Sequence, residues 1–112
     1  MSDPIARARR AFADEITTGI VAGKDEIAAA FASVAREDFL GKGPWLALTG
    51  AGYAETPSDD PLLVYQPIAI ALDADRRINN GEPQLHARML SAAAPQRGDR
   101  VVHVGTGTGY YT

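Results

Sequence analysis

The segment VVHVGTGTGY, residues 101–110, constrains the fold of this chain more than any other stretch of its sequence. Its first half has the β-branched, apolar composition of a buried strand. Its second half places a glycine at every other position, and residues without a Cβ atom let the backbone turn sharply and present N–H groups to a ligand. Because ligands of open α/β sheets bind at the carboxyl ends of strands, the segment predicts an α/β domain with a nucleotide or nucleoside site. A glycine-rich turn without a ligand is the alternative.

Apolar residues at three- and four-residue spacing predict helices ahead of this turn. Asp3-Pro4 is a typical helix start, a capping side chain followed by proline, and the first helix is expected to end at Gly23. A second helix is predicted over about residues 25–39. A third begins at Pro83, and its apolar face includes Met89, which is expected in the core.

The rest of the chain is divided by composition. Residues 41–61 are rich in Gly, Pro, Ser, Thr and Asp and predict irregular surface chain. Leu62–Tyr65 and Ile68–Leu72 have the composition of short strands, and Arg100–Val104 has that of the first strand of a larger sheet. We therefore expect a helical segment in residues 1–40, an irregular segment with short strands in 41–82, and a helix, a strand and the glycine loop in 83–112.

Composition excludes several classes of site. The chain is 46% hydrophobic and 22% charged with a net charge of -3, so nothing favours binding to nucleic acid or to an anionic membrane. It has no cysteine, which excludes disulfides and thiolate chemistry. His86 and His103 are the only histidines and lack the spacing of a helical zinc site, so no metal is predicted. No apolar run approaches the roughly 20 residues of a membrane span and no secretory signal is evident, which predicts a cytoplasmic protein.

Four motifs, in a consistent order, resemble one enzyme family. Residues 30–39, AFASVAREDF, are similar to a helix with the pattern AFxxVxRExF, and residues 82–89, EPQLHARM, to a helix start with the pattern QPxxxAxM. Residues 97–101, RGDRV, match the strand entry xGDxV, and residues 101–110 resemble the glycine-rich motif I. Together they resemble the amino-terminal part, through motif I, of the protein-L-isoaspartate O-methyltransferases, which are class I S-adenosylmethionine-dependent methyltransferases.

The resemblance implies a doubly wound, Rossmann-like α/β fold preceded by extra helices, with S-adenosylmethionine as the methyl donor. It implies methyl transfer to an oxygen or nitrogen of an unidentified acceptor, proteins included, by direct displacement. No catalytic acid, base or nucleophile is identified. The site residues that the resemblance implies are Gly81 and Glu82 for the acceptor and, for the donor, His86, His103, Gly105, Thr106, Gly107, Thr108 and Gly109.

Two residues depart from the family pattern. Motif I normally has Glu or Asp where this chain has His103, and an imidazole is a poorer partner than a carboxylate for the ammonium group of the donor. The substrate loop of the family has a serine where this chain has Gly81. Isoaspartyl repair is therefore not expected, and we interpret Asn79–Pro83 as a loop for a different acceptor.

Only three residues follow Gly109, whereas a parallel sheet requires crossover connections of a dozen or more residues. We expect the 112 residues to be a fragment of a larger methyltransferase, truncated after the first sheet strand and the glycine loop, with little activity alone. Val101–Val104 would then be an exposed strand that pairs within a homo-oligomer or with a complementing chain. A non-catalytic interaction or assembly module is the alternative function. A dinucleotide-dependent oxidoreductase is disfavoured because the loop reads GxGxG and not GxGxxG.

Overall fold

The computed structural model describes residues 3–112, and its elements are helices and short antiparallel sheets. In chain order they are α1 (Pro4–Ile16), α2 (Lys24–Ser33), a first 3₁₀ helix (Arg36–Phe39), β1 (Leu46–Thr49), β2 (Gly52–Glu55), a second 3₁₀ helix (Pro61–Val64), β3 (Ala71–Asp73), β4 (Ile78–Asn79) and α3 (Pro83–Ala93). The α/β class is as predicted, with β1 pairing to β2 and β3 to β4.

Helix α1 begins as its sequence predicts and ends earlier. The Asp3 carboxylate accepts a hydrogen bond from Ile5 N–H at 2.9 Å, which caps the first turn. The helix ends at Ile16 and not at Gly23. Thr17 is one reason, because its hydroxyl donates to Ala13 O at 2.8 Å and competes with the regular backbone ladder.

The helix predicted over residues 25–39 is interrupted. α2 ends at Ser33, and Val34 takes up an extended conformation with φ -107° and ψ 125°. The Arg36 backbone N–H then donates to the Tyr65 hydroxyl at 3.1 Å, where a continuous helix would need it to donate to a carbonyl one turn earlier. A tertiary contact therefore divides this segment into an α-helix and a 3₁₀ helix.

The segment 41–61, predicted as irregular, contains a β-hairpin. β1 and β2 pair antiparallel with Leu46 opposite Glu55 and Thr49 opposite Gly52, so Gly50-Ala51 forms a two-residue turn. Gly52 has φ +108°, and the Thr49 hydroxyl donates to Gly52 O at 2.6 Å. The apolar run Trp45–Leu48 followed by a glycine-containing pair was the signal for this hairpin.

The two predicted short strands differ from the structure in different ways. Leu62–Tyr65 is wrong as a strand, because Pro61–Val64 is a 3₁₀ helix whose cap, the Asp60 carboxylate, accepts from Leu62 N–H at 3.0 Å. Local capping outweighs the β-like composition here. The second strand lies later than predicted, as β3, although Ile70 forms an isolated bridge with Ala47.

The core is built from aromatic side chains of distant segments. Phe12 of α1 packs edge-on against Phe31 of α2 and against Tyr65, with ring centroids 6.4 and 5.6 Å apart. Tyr110, which follows the glycine loop, reaches the same cluster through Phe31 at 6.0 Å. The glycine loop is therefore attached to the core at its carboxyl end.

Helix α3 begins at Pro83 as predicted but presents a different face to the core. Ala87 is fully buried and Leu90 packs against the core, whereas Met89 is 48% exposed, so its predicted burial is wrong. The strand predicted over Arg100–Val104 is not formed, because no strand among residues 3–112 pairs with it. Val101, Val102 and Val104 are 69%, 88% and 88% exposed.

Candidate functional site

The glycine loop has the backbone conformation that its sequence predicts. Gly105, Gly107 and Gly109 have φ of +70°, +58° and +91°, which side chains other than glycine rarely adopt. A Cβ atom added at Gly105 or Gly109 would meet no atom within 4 Å, whereas one at Gly107 would lie 3.1 Å from Leu72 Cδ1. The loop therefore leaves open space along bare backbone, as a ligand in backbone contact requires.

Two side chains fix this loop to the helical segment. The Thr108 hydroxyl donates to Phe39 O at 2.6 Å, so Thr108 has a structural contact in addition to its predicted place beside a donor. Tyr110 is buried, and its ring lies 5.7 Å from that of Phe39. The loop itself is closed by a hydrogen bond from Gly109 N–H to Thr106 O at 3.0 Å.

Tyr111 joins the glycine loop to the predicted acceptor loop, which comprises Asn79–Pro83. Its ring stacks on the His86 imidazole with centroids 3.7 Å apart and planes 11° from parallel. Its hydroxyl donates to Gly81 O at 2.9 Å. Gly81 has φ +83°, and a Cβ atom there would lie 2.4 Å from His86 Cε1. The structure thus brings Gly81, His86 and Tyr111 into one cluster.

The phenols of Tyr111 and of its neighbour Tyr110 remain neutral. Burial raises the pKa of Tyr111 to about 12, although the positive charge of Arg36 opposes the shift. Burial likewise raises the pKa of Tyr110 well above its ordinary value. Tyr111 is therefore a hydrogen-bond donor to Gly81 at any physiological pH.

Glu82 and Asn79 organise the acceptor loop from within. The Glu82 carboxylate accepts from Gln84 N–H at 2.9 Å and from Leu85 N–H at 2.8 Å, which caps α3. Asn79 Oδ1 accepts from Gly81 N–H at 2.9 Å. Glu82 thus has a structural role at the position where the resemblance implies contact with an acceptor.

His103 lies apart from this cluster. Its Nδ1 is 2.8 Å from the Thr112 hydroxyl, and this is its hydrogen-bond contact within the described part of the chain. The structure therefore places His86 with the acceptor loop and His103 beside the end of the glycine loop. The two histidines do not form a joint site.

Arg36 is a structural centre that the sequence analysis missed. Its side chain is fully buried, and its two Nη atoms donate to Val64 O, Gln66 O and Ile68 O at 2.6, 3.0 and 2.6 Å. Nη2 also lies 3.5 Å from Asn80 Oδ1, directly before Gly81. Burial lowers the pKa of Arg36, and the carbonyl oxygens stabilise its charge in place of a carboxylate. From the sequence, Arg36-Glu37-Asp38 indicated only the end of a helix, because the carbonyl partners of Arg36 lie about 30 positions further along the chain.

A second network is centred on the carboxylate of the residue after Arg36. Glu37 accepts a hydrogen bond from the Tyr65 hydroxyl and lies 3.7 Å from Arg9. Arg9 Nε in turn donates to the Tyr65 oxygen at 2.9 Å. This network joins α1 to both 3₁₀ helices and supports the segment from which Arg36 reaches the acceptor loop.

The described residues offer neither a metal-binding cluster nor a membrane-spanning helix. Residues 3–112 contain no group of three or more His, Cys, Asp or Glu side chains that could hold a metal ion. None of the helices in this described part of the chain is long and apolar enough to cross a membrane. A groove of about 410 Å³ between α2 and α3 includes none of the predicted site residues.

The sequence matches a known protein family. A model of the family described as protein-L-isoaspartate(D-aspartate) O-methyltransferase matches residues 7–112. No curated protein and no solved structure matches the chain.

Proposed function

Because the chain belongs to the protein-L-isoaspartate(D-aspartate) O-methyltransferase family, we propose that it provides part of a methyltransferase site that uses S-adenosylmethionine. The observation that carries this proposal is the glycine loop, whose three positive-φ glycines leave open backbone at Gly105 and Gly109. Tyr111 connects that loop to Gly81 and His86. On this proposal the donor and acceptor segments are neighbours in the fold.

The residues present fit the larger part of the donor better than its ammonium end. Gly105 to Gly109 would hold the ribose and methionine chain against open backbone, and His86 would lie at the acceptor side. His103 stands where the family has a carboxylate, so it offers the ammonium group a weaker partner. The bound donor would supply an electrophilic methyl group, and this chain would align it with the acceptor, since positioning contributes much of the acceleration in such reactions.

Calorimetric titration with S-adenosylhomocysteine tests the donor site. We expect saturable binding with one site per chain, weakened about tenfold or more in Gly107→Ala, since a Cβ atom there combines a strained φ with a close approach to Leu72. Gly50→Ala is the matched control, because its Cβ atom would meet nothing within 4 Å. Absence of binding by the unmodified chain would contradict the proposal.

We further propose that the exposed valines pair with sheet strands supplied by another segment or chain, as in a homo-oligomer or a complemented enzyme. The support is physical: three neighbouring β-branched side chains are 69% to 88% exposed on a segment without strand partners in residues 3–112. On this proposal the 112-residue chain has little activity alone. Methyl transfer from labelled donor by the purified chain would contradict it, and the intact mass of the native protein, compared with 11.9 kDa, would show how much chain accompanies it.

The same valines favour a second candidate function, a non-catalytic interaction or assembly module. The two candidates differ in donor binding. An assembly module should associate through Val101–Val104 without measurable affinity for S-adenosylhomocysteine, whereas a methyltransferase segment should bind it. A Val102→Asp variant that loses association but keeps S-adenosylhomocysteine binding would favour the enzyme.

A further inference from the structure

We propose that the acceptor loop selects an uncharged hydroxyl or amine in place of a carboxylate, and that His86 Nε2 receives the hydrogen bond of that acceptor. The inference rests on the proposed methyltransferase function and assigns its substrate class. His86 Nε2, beside the loop, carries a free lone pair, whereas most of the hydrogen-bond donors there already have partners.

The tautomer of His86 is fixed by its neighbour. Nδ1 lies 3.0 Å from Glu82 O, and a carbonyl oxygen can only accept, so Nδ1 carries the hydrogen. Neutral His86 therefore has its lone pair on Nε2. This atom makes no hydrogen bond with residues 3–112, and the side chain is only half-buried. His86 consequently presents an acceptor atom beside Gly81.

A carboxylate needs hydrogen-bond donors, and most donors of the loop are engaged. Gly81 N–H is bound by Asn79 Oδ1, while Gln84 N–H and Leu85 N–H are bound by the Glu82 carboxylate. The Tyr111 hydroxyl is directed to Gly81 O. These contacts leave the loop rich in lone pairs and poor in donors.

The charges point the same way. Glu82 contributes a negative charge to the loop itself, which repels a carboxylate. The nearest cation, Arg36, is fully buried and uses its Nη atoms on backbone carbonyls. Three side-chain donors without a partner in residues 3–112, namely Asn80 Nδ2, Arg36 Nε and the Tyr110 hydroxyl, are buried and so are not open to an incoming carboxylate. Glu82 N–H lies beside the negative charge of its own side chain. An uncharged O–H or N–H group pairs with Nε2 without this repulsion.

Gly81 and His86 act together in this arrangement. A side chain at position 81 would place its Cβ atom 2.4 Å from His86 Cε1, so the imidazole fills the volume that a serine would need in this conformation. Tyr111 holds the ring in place by stacking at 3.7 Å. The hydroxyl that the family pattern has at this position is therefore replaced by an imidazole nitrogen of opposite hydrogen-bonding preference.

The first test uses the 112-residue chain itself. Long-range ¹H–¹⁵N NMR spectra should show His86 as the Nδ1–H tautomer, with His103 as a reference in the same sample. Two peptides are then titrated, one with isoaspartate and one in which the isoaspartyl carboxylate is reduced to a hydroxymethyl group. We expect the alcohol to shift the Nε2 resonance and to bind about tenfold more tightly, the effect of one well-formed hydrogen bond.

Two variants sharpen the result. His86→Phe keeps a flat ring over Tyr111 and should remove the preference for the alcohol. Gly81→Ala should displace His86 and have the same effect, with Gly50→Ala as the control. An Nε2–H tautomer, equal or tighter binding of the isoaspartyl peptide, or binding of neither peptide would overturn the assignment. S-adenosylhomocysteine binding is measured separately, so a loss of that binding would count against the proposed donor site and not against the acceptor assignment.

Discussion

Val64 and Val102 have the same side chain and opposite surroundings. Val64 ends the second 3₁₀ helix, is fully buried, and its carbonyl oxygen accepts a hydrogen bond from Arg36. Val102 is 88% exposed on a segment that pairs with no strand in residues 3–112. Both lie in short apolar runs whose composition predicts strands, and neither run forms one.

The difference shows what a short apolar run specifies. Such a run favours burial, but the backbone form depends on its neighbours. Asp60 and Pro61 cap a 3₁₀ helix at one run, and the other has no partner strand within residues 3–112. The Arg36 contacts hold the first run against the core. A few polar contacts thus separate a stably packed segment from an exposed one.

The largest expected effect comes from removing the anchor of the packed segment. Arg36→Ala removes the side-chain donor from Val64 O and Ile68 O, while Gln66 O keeps the Ile68 N–H, and it empties a fully buried side-chain volume. It should lower the free energy of unfolding by about 3–5 kcal/mol, measured by urea titration. Arg100→Ala, at an exposed position, should change it by less than about 0.5 kcal/mol. Similar stability losses for the two variants would remove the basis of the comparison.

The same substitution at the two valines tests the comparison directly. Val64→Ala should lower the free energy of unfolding by about 2 kcal/mol, because the lost methyl groups leave a cavity in a closed environment. Val102→Ala should leave it within about 0.5 kcal/mol, since its side chain is already in solvent. A loss at Val102 that grows with protein concentration would instead show that copies of the chain bury it on association.

A smaller effect is expected at high pH, where the glycine loop meets the packed segment. The pKa of Tyr111 is raised by burial from 10.0 in the unfolded chain to about 12 in the folded one. The unfolded state therefore loses its proton first, so stability is complete below about pH 10 and falls as the pH rises toward 12, by up to about 1.4 kcal/mol per pH unit for one group. Urea titrations of Tyr111→Phe at pH 8 and pH 11 should show a smaller fall than those of the unmodified chain. An equal fall in both proteins would contradict the burial of this phenol.

Several features that depend on neighbouring residues were predicted correctly from the sequence. Asp3-Pro4 and Pro83 marked the helix starts, and the glycine spacing predicted the turn, because caps and positive φ depend on neighbouring residues. Membership of the methyltransferase family followed from motifs of the same local kind. These features need no knowledge of the distant chain.

Long-range contacts were the part that could not be predicted. Arg36 binds carbonyl groups about 30 positions away, and the stacking of His86 on Tyr111 joins segments 25 positions apart in a way that no periodicity encodes. The end of α1 also depended on Thr17, whose side chain competes with the backbone. The acceptor chemistry inferred from the loop became accessible only with these contacts.

The contacts of Arg36 also bear on what happens when the chain is cut. They join position 36 to positions 64 to 68 and so close a large loop that contains the hairpin β1–β2. Gly50 and Ala51, at the exposed tip of that hairpin, are where a protease would cleave. Since the guanidinium and the aromatic core hold both sides of the cut, the two fragments should stay associated as one folded complex and separate only in denaturant.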